Sequence, residues 1–156
     1  MNNDLMFSSK NMLWCTPRDF FKKLDSEFNF TLDPSCTKES ALCEKYFTPE
    51  EDGLKQSWEN ERVFCNPPYG RDLKLWVEKA YNERNNAELI VLLIPSRTDT
   101  AYFHDFIWNT EAEIRFLRGR LKFIDISEPT KKLNSAPFPS MLVIYRRFKN
   151  GQVQNS

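Results

Sequence analysis

The chain has 156 residues, enough for one domain with its own core, since domains most often hold roughly 100–150 residues. Its 22 basic and 22 acidic residues cancel, which excludes a protein that grips a polyanion by bulk charge alone but leaves room for a local basic face. With 40% apolar and 28% charged residues it is globular rather than disordered, and its longest apolar run, LIVLLIP, is far too short to span a bilayer.

In chain order, residues 1–13 are expected to be a flexible N-terminus, 14–148 a single domain and 149–156 a flexible tail. Thr16-Pro17 predicts a helix start, with Thr16 as N-cap and Pro17 at the first helical position. Phe20, Phe21, Leu24 and Phe28 then fall near one helical face. A short strand, FNFTLD, ends at Asp33-Pro34, and SCTKESALCEKYF is expected to be helical, leading into an extended KYFT. TPEEDGLKQSW is rich in turn residues and partly helical, and RVFCN reads as a buried strand that Pro67 and Pro68 stop, because neither can donate to a ladder.

From Asp72 to about Asn85, Leu73, Trp76, Val77 and Ala80 recur at helical spacing. AELIVLLIP is the strongest strand signal, a continuous apolar run typical of a strand covered on both faces. DTAYFHDFIWN is predicted helical with Asp99 as cap; EIRFLRG and SMLVIYRRF are strands, and DISEPTKKLNSAPFP between them is a loop. Alternating helices and strands imply an α/β fold with a mainly parallel sheet and helices on both faces. The carboxyl ends of its strands line one edge, where ligands bind in such sheets. Two of those ends carry chemistry: Asp33-Pro34 and Asn66-Pro67-Pro68-Tyr69.

Four cysteines, Cys15, Cys36, Cys43 and Cys65, form no CxxC pair, and there is one histidine, His104. That argues against a metal site. Free thiols and the lack of a basic-apolar leader point to a reducing cytoplasm and no membrane attachment.

The Asn66–Tyr69 turn has a specific capability. Each proline forces its predecessor into an extended conformation and has no N–H. The Asn66 side-chain oxygen and the Pro67 carbonyl are then two acceptors on a rigid turn, beside the flat face of Tyr69. An amine on a planar group offers two N–H donors next to a π surface, which matches. With both hydrogens held, the nitrogen lone pair is encouraged out of conjugation and becomes nucleophilic.

Asn-Pro-Pro-Tyr is also the amine-binding motif of S-adenosylmethionine-dependent amino methyltransferases. The runs WCTPRDFFKKLDSEFNFTLDPSC, YFTPEEDGLKQSW, VFCNPPYG, LIPSRTDTAYF, FLRGRLKF and SAPFPSMLVIYR, covering about residues 14–147, together resemble phage-encoded, Dam-related DNA N-6-adenine methyltransferases. The resemblance implies a compact Rossmann-like methyltransferase fold and methyl transfer from S-adenosylmethionine to adenine N6 in double-stranded DNA. It implies a direct in-line displacement on a flipped base, in a phage- or prophage-encoded protein working in the cytoplasm of a bacterial host. It assigns Asn66, Pro67, Pro68 and Tyr69 to the target base. Asp33, Pro34 and Ser35, with Thr16, Pro17 and Asp52, go to the cofactor, and Arg97, Arg118, Arg120 and Lys122 to DNA. No metal is implied.

The chain departs from the pattern in one respect: DPSCTKES, after the first strand, has no glycine where a glycine-rich turn is usual. The sheet must also be abbreviated, with one short strand near Tyr46–Thr48 in place of two. Cytosine N4 and a protein glutamine amide offer the same amine geometry, and the missing glycines favour a non-catalytic binding protein of the same shape. These remain the alternatives.

Overall fold

The computed structural model describes residues 15–124 and 133–148. The expected flexible ends at 1–13 and 149–156 lie outside the described residues, as do residues 125–132, the first part of the predicted 125–139 loop. Helix α1 (Arg18–Phe28) buries Phe21, Leu24 and Phe28 and ends at Asn29, whose left-handed φ of 53° breaks the helical path. Strands β1 (Leu32–Asp33), β2 (Lys45–Tyr46) and β3 (Arg62–Cys65) follow, then helix α2 (Leu73–Glu83) and strand β4 (Leu89–Pro95). Helix α3 (Ala101–Phe106), strand β5 (Glu113–Phe116), strands β6 (Lys122–Ile124) and β7 (Leu133–Ser135), and strand β8 (Ser140–Arg146) complete the fold.

The main sheet has the order β2-β1-β3-β4-β8-β5, with β6 and β7 forming a separate antiparallel ribbon. β2, β1, β3 and β4 are mutually parallel, and β8 runs antiparallel to both β4 and β5. This is a Rossmann-like arrangement in abbreviated form, with the single strand β2 outside β1. The chain leaves β1 toward β2 on one side and returns to β3 on the other. β1 and β3 therefore flank the topological switch point, the crevice where open α/β sheets receive ligands.

All seven residues of β4 are buried, as a central strand covered on both faces requires. Alternate residues divide between two cores. Ile90, Leu92 and Ile94 pack with Trp76, Val77 and Ala80 of α2 and Phe103 of α3, while Leu89, Val91 and Leu93 pack with Phe21, Leu24 and Phe28 of α1. Helices thus cover both faces. At roughly 25 cal/mol per Å² of apolar area, these two layers are the main source of stability.

The structure corrects several sequence expectations. The segment 35–44 is not helical: Thr37 and Ser40 bond to one another's backbone and side chains, with Thr37 N to Ser40 Oγ at 2.9 Å and Ser40 N to Thr37 Oγ1 at 3.2 Å. Hydroxyl side chains compete with the helical ladder in this way. Thr16 does not cap α1; Pro17 occupies the cap position without a side-chain bond. Asp99 does not cap α3, because Thr100 Oγ1 accepts from Phe103 N. Part of the predicted loop before β8 is strand β7, paired with β6.

Candidate active site

A cavity of about 350 Å³ opens at the switch point. Asp33, Pro34 and Ser35 from the end of β1, and Asn66, Pro67 and Pro68 from the end of β3, line it together with Thr16 and Asp52. Eight of the residues singled out in the sequence therefore meet in one place, drawn from four separate stretches of chain.

Hydrogen bonds tie the two strand ends. Ser35 Oγ donates to the Asn66 carbonyl at 3.5 Å, and Asn66 Nδ2 donates to Thr16 Oγ1 at 2.9 Å. Thr16 is buried, so its hydroxyl is an anchor rather than a helix cap. Because Nδ2 faces Thr16, Asn66 Oδ1 is the amide atom turned the other way. The Asn66 acceptor is thus oriented by a residue 50 positions earlier in the chain.

Asp33 is 3% exposed. Its oxygens accept from Ser35 N at 3.3 Å and Leu42 N at 3.1 Å. Burial pushes its carboxyl up from 3.8 to about 6, and these backbone N–H groups only partly offset that. No cation among the described residues forms an ion pair with it.

The missing glycine-rich turn has a substitute that the sequence did not signal. A Cβ built on Gly53 would stand 2.0 Å from the Pro34 carbonyl oxygen. The glycine allowing the β1 turn its tight packing thus lies 19 positions beyond Pro34, across the cavity. The Gly53 carbonyl accepts from Trp58 Nε1 at 3.0 Å, and Trp58 is fully buried. Asp52, in a left-handed conformation at φ 58°, caps the 3-10 turn Gly53–Lys55 through Leu54 N, so its turn-forming role is met even though it lines the cavity. Phe47, Leu54 and Trp76 supply apolar walls that sequence reasoning missed. Gly53→Ala is expected to cost about 1–3 kcal/mol, as overpacking does, and to weaken any ligand of the cavity. Urea denaturation and calorimetry would check both.

Other predicted residues lie elsewhere. Pro17 does not line the cavity. Nor does Tyr69: its hydroxyl donates to the Leu93 carbonyl at 3.2 Å, and its ring packs edge-on against Phe138 and Phe123, at centroid distances of 5.3 and 6.3 Å. Arg97, Arg118, Arg120 and Lys122 are exposed and stand outside the cavity, on segments that follow the carboxyl ends of β4 and β5.

Thiol chemistry is disfavoured. Burial pushes Cys43 up to about 12 and raises Cys36 and Cys65 as well, so all three are held as thiols. Among the described residues there is no cluster of three or more metal-ligating side chains, and no helix is long and apolar enough to cross a membrane.

A family model described as DNA N-6-adenine-methyltransferase (Dam) matches residues 5–155. The chain belongs to this family. A protein of Escherichia phage T1 described as DNA N-6-adenine-methyltransferase is 32% identical over an alignment of 161 positions that covers 92% of this chain. The chain spans 66% of the length of that relative. Among solved structures, a Pyrococcus horikoshii chain whose description provisionally assigns it to the RNA methyltransferases overlaps 69% of this Dam-family chain and 51% of its own, at 16% identity and a TM-score of 0.45.

Proposed function

We propose that this Dam-family chain transfers a methyl group from S-adenosylmethionine to the N6 amine of adenine in double-stranded DNA. The cavity would hold the donor and the Asn66–Tyr69 turn the base. The observation that carries this reading is the meeting of Asn66, Pro67 and Pro68 with a buried Asp33 across the switch point, in a member of the Dam family. When bound, S-adenosylmethionine supplies a methyl group on a positively charged sulfur.

The residues present suit that group. Asp33, Pro34, Ser35, Thr16 and Asp52 form its polar side, with Phe47, Leu54 and Trp76 as apolar walls. Asp33 is a desolvated carboxylate that a cation stabilises. Asn66 Oδ1 and the Pro67 carbonyl accept the two amine hydrogens, and Thr16 holds the Asn66 amide in the orientation this requires. Fixing the amine against the donor in one geometry supplies most of the acceleration. A base inside a duplex cannot reach a turn at the sheet edge, so adenine is flipped out and held at Tyr69. Arg97, Arg118, Arg120 and Lys122 meet the phosphates.

Incubation with unmethylated duplex DNA and labelled donor, followed by mass spectrometry of the nucleosides, tests the reading. N6-methyladenine is the expected product. N4-methylcytosine, or label in protein alone, would replace it with one of the alternative amines.

The buried carboxylate makes a pH prediction. Folding raises the Asp33 pKa from 3.8 to about 6, so its share of ligand-free stability is complete below pH 3.8 and lost as pH rises through about 6. Cation binding has the opposite sense, because it favours the carboxylate. Donor affinity should therefore rise up to about tenfold per pH unit between pH 5 and 6 and level off above. Calorimetric titration from pH 5 to 8 would show the bend, and Asp33→Asn should abolish it.

A further inference from the structure

Phe116 is the most exposed large apolar side chain among the described residues, at 61%. It is the last residue of edge strand β5. β5 and β4 both run antiparallel to β8, so Phe116 lies on the same sheet edge as Asn66 and the cavity. Three strand spacings separate β3 from β5, roughly 14 Å at about 4.8 Å each. Ile114, two residues earlier and on the same face, packs on the core, while Phe116 extends past that cover.

The charges around it differ from those on the rest of the strand. Arg115 pairs with Glu27 and Glu113, and Arg146 beside it pairs with Glu113. Arg97, Arg118, Arg120 and Lys122, on the carboxyl edge, make no ion pair among the described residues. An exposed ring thus shares this edge with cations that have no ion-pair partner among the described residues, a combination complementary to the apolar base stack and anionic backbone of a duplex. A second copy of the chain would bring cations of the same sign together.

Resting on the proposed flipping of the target base, we infer that Phe116 is the apolar wedge that enters the duplex beside the extruded adenine and fills the gap it leaves. Flipping unstacks the neighbours of the base, and an inserted apolar side chain restores part of that lost contact. Arg118 and Arg120 hold the flanking phosphates. The ring touches the stack, not the reacting amine, so it is a positioning residue. Its contribution exists only where there is a stack to enter.

The test compares methyl transfer to unmethylated duplex DNA with transfer to the same DNA as separated strands, for the wild type, Phe116→Ala, Phe116→Leu and Trp108→Ala. Trp108 is also exposed but stacks on Phe103 beyond the far end of α3. The expected result is that Phe116→Ala loses at least tenfold more activity on duplex than on single strands. Phe116→Leu should recover most of the duplex rate, and Trp108→Ala should keep the wild-type ratio. An unchanged duplex rate in Phe116→Ala, or equal losses on both substrates, would overturn the wedge while leaving the methyltransferase reading intact. So would sedimentation showing a wild-type dimer that Phe116→Ala dissolves. Failure of the wild type to methylate either substrate would remove the functional reading itself, and the wedge with it.

Discussion

On the proposed function, Asn66→Ala is expected to lower the rate of methyl transfer to DNA by about a hundred- to a thousandfold, the range seen when one preorganised hydrogen-bonding group is removed from a reacting centre. The substitution deletes the Oδ1 acceptor but leaves the two prolines and the Pro67 carbonyl in place. It also removes the 2.9 Å bond from Nδ2 to Thr16 Oγ1. The two effects are separable. Thr16→Val keeps the shape of the side chain and removes only the anchor, so its loss should be about tenfold, in line with one net hydrogen bond. Initial rates with labelled donor give both values, and donor affinity by calorimetry should change by less than about tenfold in either variant. An Asn66→Ala enzyme with near wild-type rate would show that the amine is held elsewhere.

Trp58→Ala should cost about 3–5 kcal/mol of stability, the usual range for removing a large aromatic from a core. Trp58 is fully buried, donates through Nε1 to the Gly53 carbonyl at 3.0 Å, and lies under Lys79 at 5.4 Å. Lys79 is itself fixed by the Gln56 carbonyl at 2.7 Å and Glu83 at 3.1 Å. Trp58 thus connects α2 to the turn that packs on Pro34, and donor affinity should fall with stability. If Trp58→Ala does not fold, Trp58→Phe preserves much of the volume and loses the indole donor, for about 1–3 kcal/mol. Urea denaturation measures both, and a loss below about 1 kcal/mol for Trp58→Ala would mean that the site collapses around the missing ring.

Much of the sheet was legible in the sequence because its strands are continuous apolar runs. β4 and β8 are buried along nearly their whole length, and no amphipathic pattern competes with that reading. The prolines after β3 likewise mark their turn by covalent geometry alone. The misread segments are those whose local signals had a distant competitor. Thr16-Pro17 is a good helix start locally, but Asn66 takes the Thr16 hydroxyl. The stretch from Ser35 to Glu44 has helical spacing, but Asp33 captures the Leu42 N–H and the Thr37–Ser40 pair closes a turn instead. The ribbon β6–β7 is too short, at three residues per strand, to stand out from a loop rich in Ser and Lys.

The sequence by itself determined the chemistry available to this Dam-family chain: a rigid acceptor turn at Asn66-Pro67-Pro68, an acid at the end of the first strand, and thiols without a metal-ligating pattern. Those follow from residue type and near-neighbour geometry. Only the tertiary structure decided how the chemistry is assembled. It put Gly53 against Pro34 in place of a glycine-rich turn, gave Thr16 to Asn66, moved Asp33 out of water, and left Phe116 uncovered on the same edge. Each of these depends on which segments lie side by side once the sheet is formed. That is set by burial of two apolar faces at once, not by any short stretch of chain.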